Sequence, residues 1–315
     1  MEPDEQLEWE RRAGRLAGIA AIAAGALLLL QLFYPAFVGA RIDSVREFER
    51  YTKFHSNPDL IAVPYAMQAL GYLCAAFALY YLARATFARR TEMGRPMQIM
   101  AVVGPVANAV AAVLLAFAVL DVASQLTDLN LTDEATNRAA GLAGLAGNQA
   151  VAEDAIRDLQ TDSGLFIAAG YIDLAANLAL GFGLVLVGLN AMRAGLLSRF
   201  LGILAIIVGV LTVLFRGAGI IEAFWLIAVG FLFLDRWPNG RGPAWDEVEA
   251  IPWPSAVQQR AALEAQREDY EDEDIEGAYV DSDEELEEFE DEDEEAEPAP
   301  TPHPASKKRK KKKRR

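Results

Sequence analysis

Residues 164–235 read GLFIAAGYIDLAANLALGFGLVLVGLNAMRAGLLSRFLGILAIIVGVLTVLFRGAGIIEAFWLIAVGFLFLD. Only Asp173, Arg193, Arg199, Arg216, Glu222 and Asp235 carry charge in that run. A helix crosses the hydrocarbon core of a bilayer in about 20 apolar residues, so the stretch predicts three crossings. Its polar breaks place them at about 164–192, 199–215 and 218–235. The turn Arg216-Gly-Ala-Gly219 is so short that the last two helices are expected to be antiparallel neighbours. The same measure applied upstream gives crossings at about 16–38, 60–83 and 96–120. The expected fold class is therefore all-α: a polytopic membrane protein of six transmembrane helices, followed by a disordered C-terminal tail.

Around those crossings the chain divides by composition. Residues 1–15 form a polar N-terminus, and 16–236 the six-helix membrane domain with its polar loop at 121–163. Residues 237–267 form a juxtamembrane segment and 268–315 a charged tail. The first apolar run has to be distinguished from a cleaved signal peptide. It is longer than the usual 7–15-residue apolar region of such a peptide, and acids precede it, so an uncleaved first helix is expected. Residues 41–56, RIDSVREFERYTKFHS, carry apolar residues at helical spacing, and Ser44 with Glu47 makes a capping box. Such a helix either lies on the membrane surface or packs on the bundle. The 121–163 loop is Ala-rich from Asp133 to Gln160, predicting one or two short helices broken by Gly141, Gly144 and Gly147. In the second crossing Tyr65, Gln68 and Tyr72 share one helical face.

The formal charge of −16 describes the tail. Residues 268–297 hold twenty Asp or Glu and no Lys or Arg, whereas 307–315 are nine consecutive cations. Together they account for −11, leaving −5 for everything before residue 268. Before residue 307 the only Lys is Lys53, against nineteen Arg, a bias expected of a bacterium with GC-rich codons. The single Cys74 excludes a disulfide within the chain, and His55 and His303 lie too far apart in sequence to suggest a metal site. No phosphate loop, nucleophile with a base or zinc helix is present, so no cofactor is expected and an enzyme is disfavoured.

Met192 to Gly209, MRAGLLSRFLGILAIIVG, resembles a large uncharacterised bacterial family of six-helix integral membrane proteins, a domain of unknown function. The entry RRAGRLAGIAAI at 11–22 and the second crossing, ending at Arg84, are similar to that family too. The resemblance covers about residues 11–215 and leaves out the acidic and basic tail. It implies a six-crossing architecture and supplies no catalytic residues.

Asp173 is the most informative single residue. It lies about nine residues into the fourth crossing, roughly 13 Å deep, where an isolated charge costs about 3 kcal/mol. It must face protein or water, or take a proton. Asn177 lies one turn on, and Gly170 and Gly181 share that stripe. Arg216 and Glu222 are the other charged candidates, and an ion pair of Arg216 with either acid would relieve the burial. Asp173, Asn177, Arg216 and Glu222 thus form a candidate intramembrane polar site, functional as a proton or solute site or structural as a pair fixing helix register. Glycines at intervals of seven, Gly181, Gly188, Gly195, Gly202 and Gly209, predict a close helix seam. Gly104 and Pro105 suggest a kink in the third crossing.

In the tail, Trp237, Trp245 and Trp253 are expected near a headgroup boundary. The acidic and Pro-rich residues beyond them have too little apolar surface to fold. Asp272, Asp274, Glu276, Gly277 and Asp283 fall at calcium-loop spacing, a match that dense acid runs produce by accident. Lys307, Lys308, Arg309, Lys310, Lys311, Lys312, Lys313, Arg314 and Arg315 would attract anionic lipid or RNA, with the acidic tract as a competing partner in the same chain. The leading expectation is a non-enzymatic membrane protein whose tail makes interactions. The alternative is a small transporter or channel using the polar face around Asp173 and Asn177. The bilayer is the one partner the whole sequence requires.

Arg and Lys near the helix ends orient the chain. Eleven lie on the segments that are inner when the N-terminus is inside, against seven on the outer ones. Both termini are therefore expected in the cytoplasm, with the protein in the inner (plasma) membrane. Single cysteines at Ser124 and Ser306 in a Cys74→Ala background test this with an impermeant thiol reagent on intact cells. Labelling is expected at 124 and not at 306; the reverse pattern inverts the orientation.

Overall fold

The computed structural model describes residues 3–38, 47–90, 95–128, 145–215, 219–238 and 240–253. Arg216, Ser44, the calcium-like spacing and the whole tail from 254 onward, with its nine cations, lie outside the described residues. Every regular element described is helical. They are α1 (Pro3–Phe37), α2 (Glu47–Ser56), α3 (Asp59–Arg89), α4 (Arg95–Asp128), α5 (Leu145–Asp162), α6 (Gly164–Ala194), α7 (Arg199–Leu214) and α8 (Gly219–Phe233). A single 3-10 turn follows at Pro243–Asp246.

Local chemistry sets several of these boundaries. Ser163 caps α6 by accepting a hydrogen bond from Phe166 N (3.2 Å), and Ser198 caps α7 by accepting one from Leu201 N (3.3 Å). Gly195 ends α6 with φ 84°, a conformation that favours glycine. Gly147 lies inside α5 and does not break it, contrary to the sequence expectation. Helix α1 begins at Pro3, so the polar residues that precede the apolar stretch are helical and continuous with it.

Four helices, α1, α3, α4 and α6, are long and apolar enough to cross a membrane. Helices α7 and α8 are apolar but have 16 and 15 residues, so they rise about 24 and 22 Å against a core of about 30 Å. The helices pack in a ring: α1 on α3 and α8, α3 on α4, α4 on α6, and α6 on α7. Helices α7 and α8 touch, but each leans mainly on its other neighbour. Large apolar side chains such as Ile19, Leu70, Val110, Phe182, Ile203 and Phe224 point outward on all six. That belt suits contact with lipid tails.

Small residues make the inward seams. Gly18 faces the Gly230 carbonyl and Gly181 the Gly209 carbonyl, and Gly104 abuts the Leu180 backbone. Of the heptad glycines, Gly181, Gly188, Gly202 and Gly209 form the seam between α6 and α7, whereas Gly195 ends α6 and meets the Ile251 carbonyl. At Gly104 the reason for glycine is close approach to α6. Ala17, Ala21 and Ala24 of α1 are fully buried, so the first apolar helix is an integral part of the bundle.

A smaller core sits beyond one end of the ring. Tyr51 and Phe54 of α2 are buried there with Val122 and Leu126 of α4 and Ile156 of α5. Gln160 donates to the Tyr51 hydroxyl at 2.8 Å. Of the two readings of the amphipathic segment, packing on the bundle is the one observed.

The seam predicts a contrast between two glycines of one helix. A Cβ on Gly181 would lie 2.5 Å from Val213 Cγ2 and 2.6 Å from the Gly209 oxygen, whereas one on Gly170 would meet nothing within 4 Å. Overpacking of a filled seam costs about 1–3 kcal/mol. Gly181→Ala is expected to lower the melting temperature in detergent, and Gly170→Ala to leave it unchanged or raise it. Equal effects would remove the seam as the cause.

Candidate functional site

All six ring helices contribute to one polar cavity of about 210 Å³. Leu28 and Gln31 come from α1, Tyr65, Gln68 and Tyr72 from α3, and Leu115 from α4. Asp173 and Asn177 come from α6, Thr212 and Phe215 from α7 and its end, and Gly219 and Glu222 from α8. Phe215 and Gly219 are exposed, so the cavity reaches the molecular surface where α7 gives way to α8.

Three of the four sequence-predicted site residues meet here: Asp173, Asn177 and Glu222. The fourth, Arg216, lies outside the described residues, as does any ion pair it makes. Gly170, expected on the same stripe, faces open space, while Gly181 faces α7. The shared face of Tyr65, Gln68 and Tyr72 turns out to be the α3 wall of this cavity.

Glu222 is 3% exposed and stands in the first turn of α8. The amide dipoles of that turn favour a negative group. Among the described residues no hydrogen bond or ion pair to its carboxyl is found, and no cationic side chain lines the cavity. Tyr72, also buried, is close enough to interact with both Glu222 and Asp173. Thr212 donates its hydroxyl proton to the Val208 carbonyl at 2.9 Å, leaving an oxygen acceptor on the cavity wall. The donor set is two carboxyls, three side-chain amides and three hydroxyls. Hard oxygen ligands of this kind suit a proton, a small cation or an amine better than an anion.

The opposite end of the ring is closed, and it holds a charged group that the sequence did not single out. Arg89, the last residue of α3, donates from Nη1 and Nη2 to Glu10 Oε1 and Oε2 at 2.7 and 2.9 Å. Its Nε donates to the Ala244 carbonyl at 2.8 Å and its Nη1 also to the Ala85 carbonyl. Gln6 Nε2 donates to Glu10 Oε1, and the Tyr81 hydroxyl to the Glu10 carbonyl. Beside the pair, Trp245 stacks on Tyr81 with centroids 5.8 Å apart, and Phe233 meets both rings edge-on. The segment 240–253 thus returns over the bundle end, held by Trp245 Nε1 to the Leu196 carbonyl and Ile251 N to the Ala194 carbonyl. Trp245, expected at a headgroup boundary, is buried instead. Surface charges such as the exposed Arg12–Glu8 pair hide the signal; Gln6 and Glu10, four apart on one helical face, are the available clue.

Comparison with protein-family models, with curated proteins and with solved structures gave no match, and the site is understood from its own geometry.

Proposed function

We propose that the chain is a six-crossing protein of the inner (plasma) membrane, with both termini in the cytoplasm, that acts as a small transporter for a cation or proton. The observation that carries this reading is Glu222, a buried carboxyl without a hydrogen bond or ion pair among the described residues, in a cavity to which all six apolar helices contribute. An acid inside apolar surroundings is neutralised by a proton or by a cation, and such residues mark substrate or proton pathways. The cavity is smaller than the 300–1,000 Å³ usual for drug-sized ligands. At about 30 Å³ per water it takes a partly hydrated inorganic ion or a small amine.

Two features support six crossings over four. Helices α7 and α8 complete the ring and bring Thr212 and Glu222 into the cavity. Their junction also places the cavity mouth at one face of the ring, beside the exposed Phe215 and Gly219. By the Arg count that face is the outer one. The reading preferred from sequence alone, a non-enzymatic protein acting through its tail on anionic lipid or RNA, rests on composition. The cavity gives the transporter alternative a geometry.

The test uses the full chain in proteoliposomes with sodium, potassium or methylammonium gradients and an entrapped pH indicator. Wild type is expected to carry a cation-dependent or proton-linked flux. Glu222→Gln is expected to abolish it, and Asp173→Asn to reduce it severalfold, with melting temperatures kept. Absence of flux and of any cation-induced thermal shift in the wild type would remove the reading.

A further inference from the structure

A second cavity, of about 390 Å³, lies in the crevice between α1 and the end of α8. Its polar walls are Arg11, Arg15, Arg236 and Arg241, and its apolar walls include Ile19 and Leu234. The first three arginines are exposed, while Arg241 is drawn into the crevice. Arg241 donates from Nη2 to the Phe233 carbonyl at the end of α8, and its guanidinium lies 5.7 Å from the Trp245 ring. Its Nε is buried without a hydrogen-bond acceptor. The nearest carboxylate oxygen, on Asp235, stands 3.9 Å away, too far for a hydrogen bond. Asp235 offsets only one of the four arginines, and the excess positive charge of the crevice favours an anionic oxygen.

The depth of the crevice identifies the anion's source. On α1 the outward apolar belt begins at Leu16 and Ile19, 63% and 51% exposed, directly after Arg15. On α8 it ends at Phe231, and Arg236 follows within two turns. The arginines therefore stand at headgroup level and the apolar walls at the level of the first acyl carbons. A free phosphate would have no use for an exposed Ile19 wall; a phospholipid fills both parts.

We propose that the crevice between α1 and the end of α8 is a binding site for the phosphate headgroup of an acidic phospholipid, with Ile19 and Leu234 against its acyl chains. The site rests on the bilayer placement of α1 and α8 and is independent of what the central cavity carries. It is a different site from the nine cations of the tail, which lie outside the described residues.

The test uses the full chain in nonionic detergent, titrated with short-chain phosphatidylglycerol, short-chain phosphatidylcholine or inorganic phosphate. Bound lipid is counted by native mass spectrometry and checked by thermal shift. Wild type is expected to retain one phosphatidylglycerol in preference to phosphatidylcholine. A variant with all nine tail cations changed to Gln, and Glu222→Gln, are expected to retain it equally. Arg11→Gln/Arg15→Gln/Arg236→Gln removes three exposed cations outside the core, and at about 1 kcal/mol per basic residue its affinity falls by roughly 100-fold. If the triple variant does not fold, Arg15→Gln and Arg236→Gln alone are each expected to weaken binding by roughly fivefold. Undiminished binding by these variants, loss of binding with the tail variant, or an equal shift from inorganic phosphate would each overturn the site.

Discussion

Close approach of helix backbones is the constraint on which this structure depends. Lipid tails are as apolar as leucine, so burying side chains between helices gains little in a bilayer, and association falls to packing at short range. Gly18 against Gly230, Gly181 against Gly209 and Gly104 against Leu180 supply that range on three sides of the ring. Large side chains are thereby displaced to the outer faces, where they meet lipid. Followed along α6, the seam passes from Gly188 and Gly181 to Asn177 and Asp173. Along α1 it passes from Gly18 and Gly25 to Leu28 and Gln31. The same inward stripe that is closed by glycine in one half is thus polar in the other, and the cavity occupies the polar half.

The closed half ends in the Arg89–Glu10 pair. A buried ion pair is a poor source of net stability, because desolvation offsets the attraction, but losing one partner costs about 3–5 kcal/mol. Here the remaining hydrogen-bond capacity is met by Gln6, Ala85 and Ala244. Its consequence is geometric. Glu10 has to be helical and inward, so α1 extends well below its apolar stretch. Ala244 has to lie over α3, so the chain after α8 folds back instead of leaving the bundle.

The helices were legible because apolar length and polar breaks are one-dimensional properties. The observed ends differ from the expected crossings mainly by polar turns added at α1, α3 and α4, which apolar length does not register. Asp173, Asn177 and Glu222 were legible for a related reason: a polar residue in an apolar run has to face inward, and six inward faces share one interior. Glu10 and Arg89 were not, since each lies among other charges and nothing in the sequence separates a buried arginine from Arg84 or Arg90. Amphipathic spacing likewise could not place α2, because a bilayer surface and a protein surface ask for the same pattern. Trp245 illustrates the converse, since a tryptophan near a membrane end satisfies its N–H equally at a headgroup or, as here, on the Leu196 carbonyl.

The asymmetry between the two ends bears on the proposed transport. At the cavity end, the described lining carries acids, amides and hydroxyls, and contact with the surface is retained. At the other, Tyr81, Phe233 and Trp245 form a three-ring cluster beside the Arg89–Glu10 pair. Among the described residues, the packed barrier to a solute in the cavity lies on that side. The barrier is not one element: α3, α8 and the returning segment each supply a ring, and α1 supplies the carboxylate. The returning segment is the shortest of them and is tied to α6 through the Leu196 and Ala194 carbonyls. Since α6 also carries Asp173 and Asn177, one continuous helix joins the polar cavity to the segment that closes the far end.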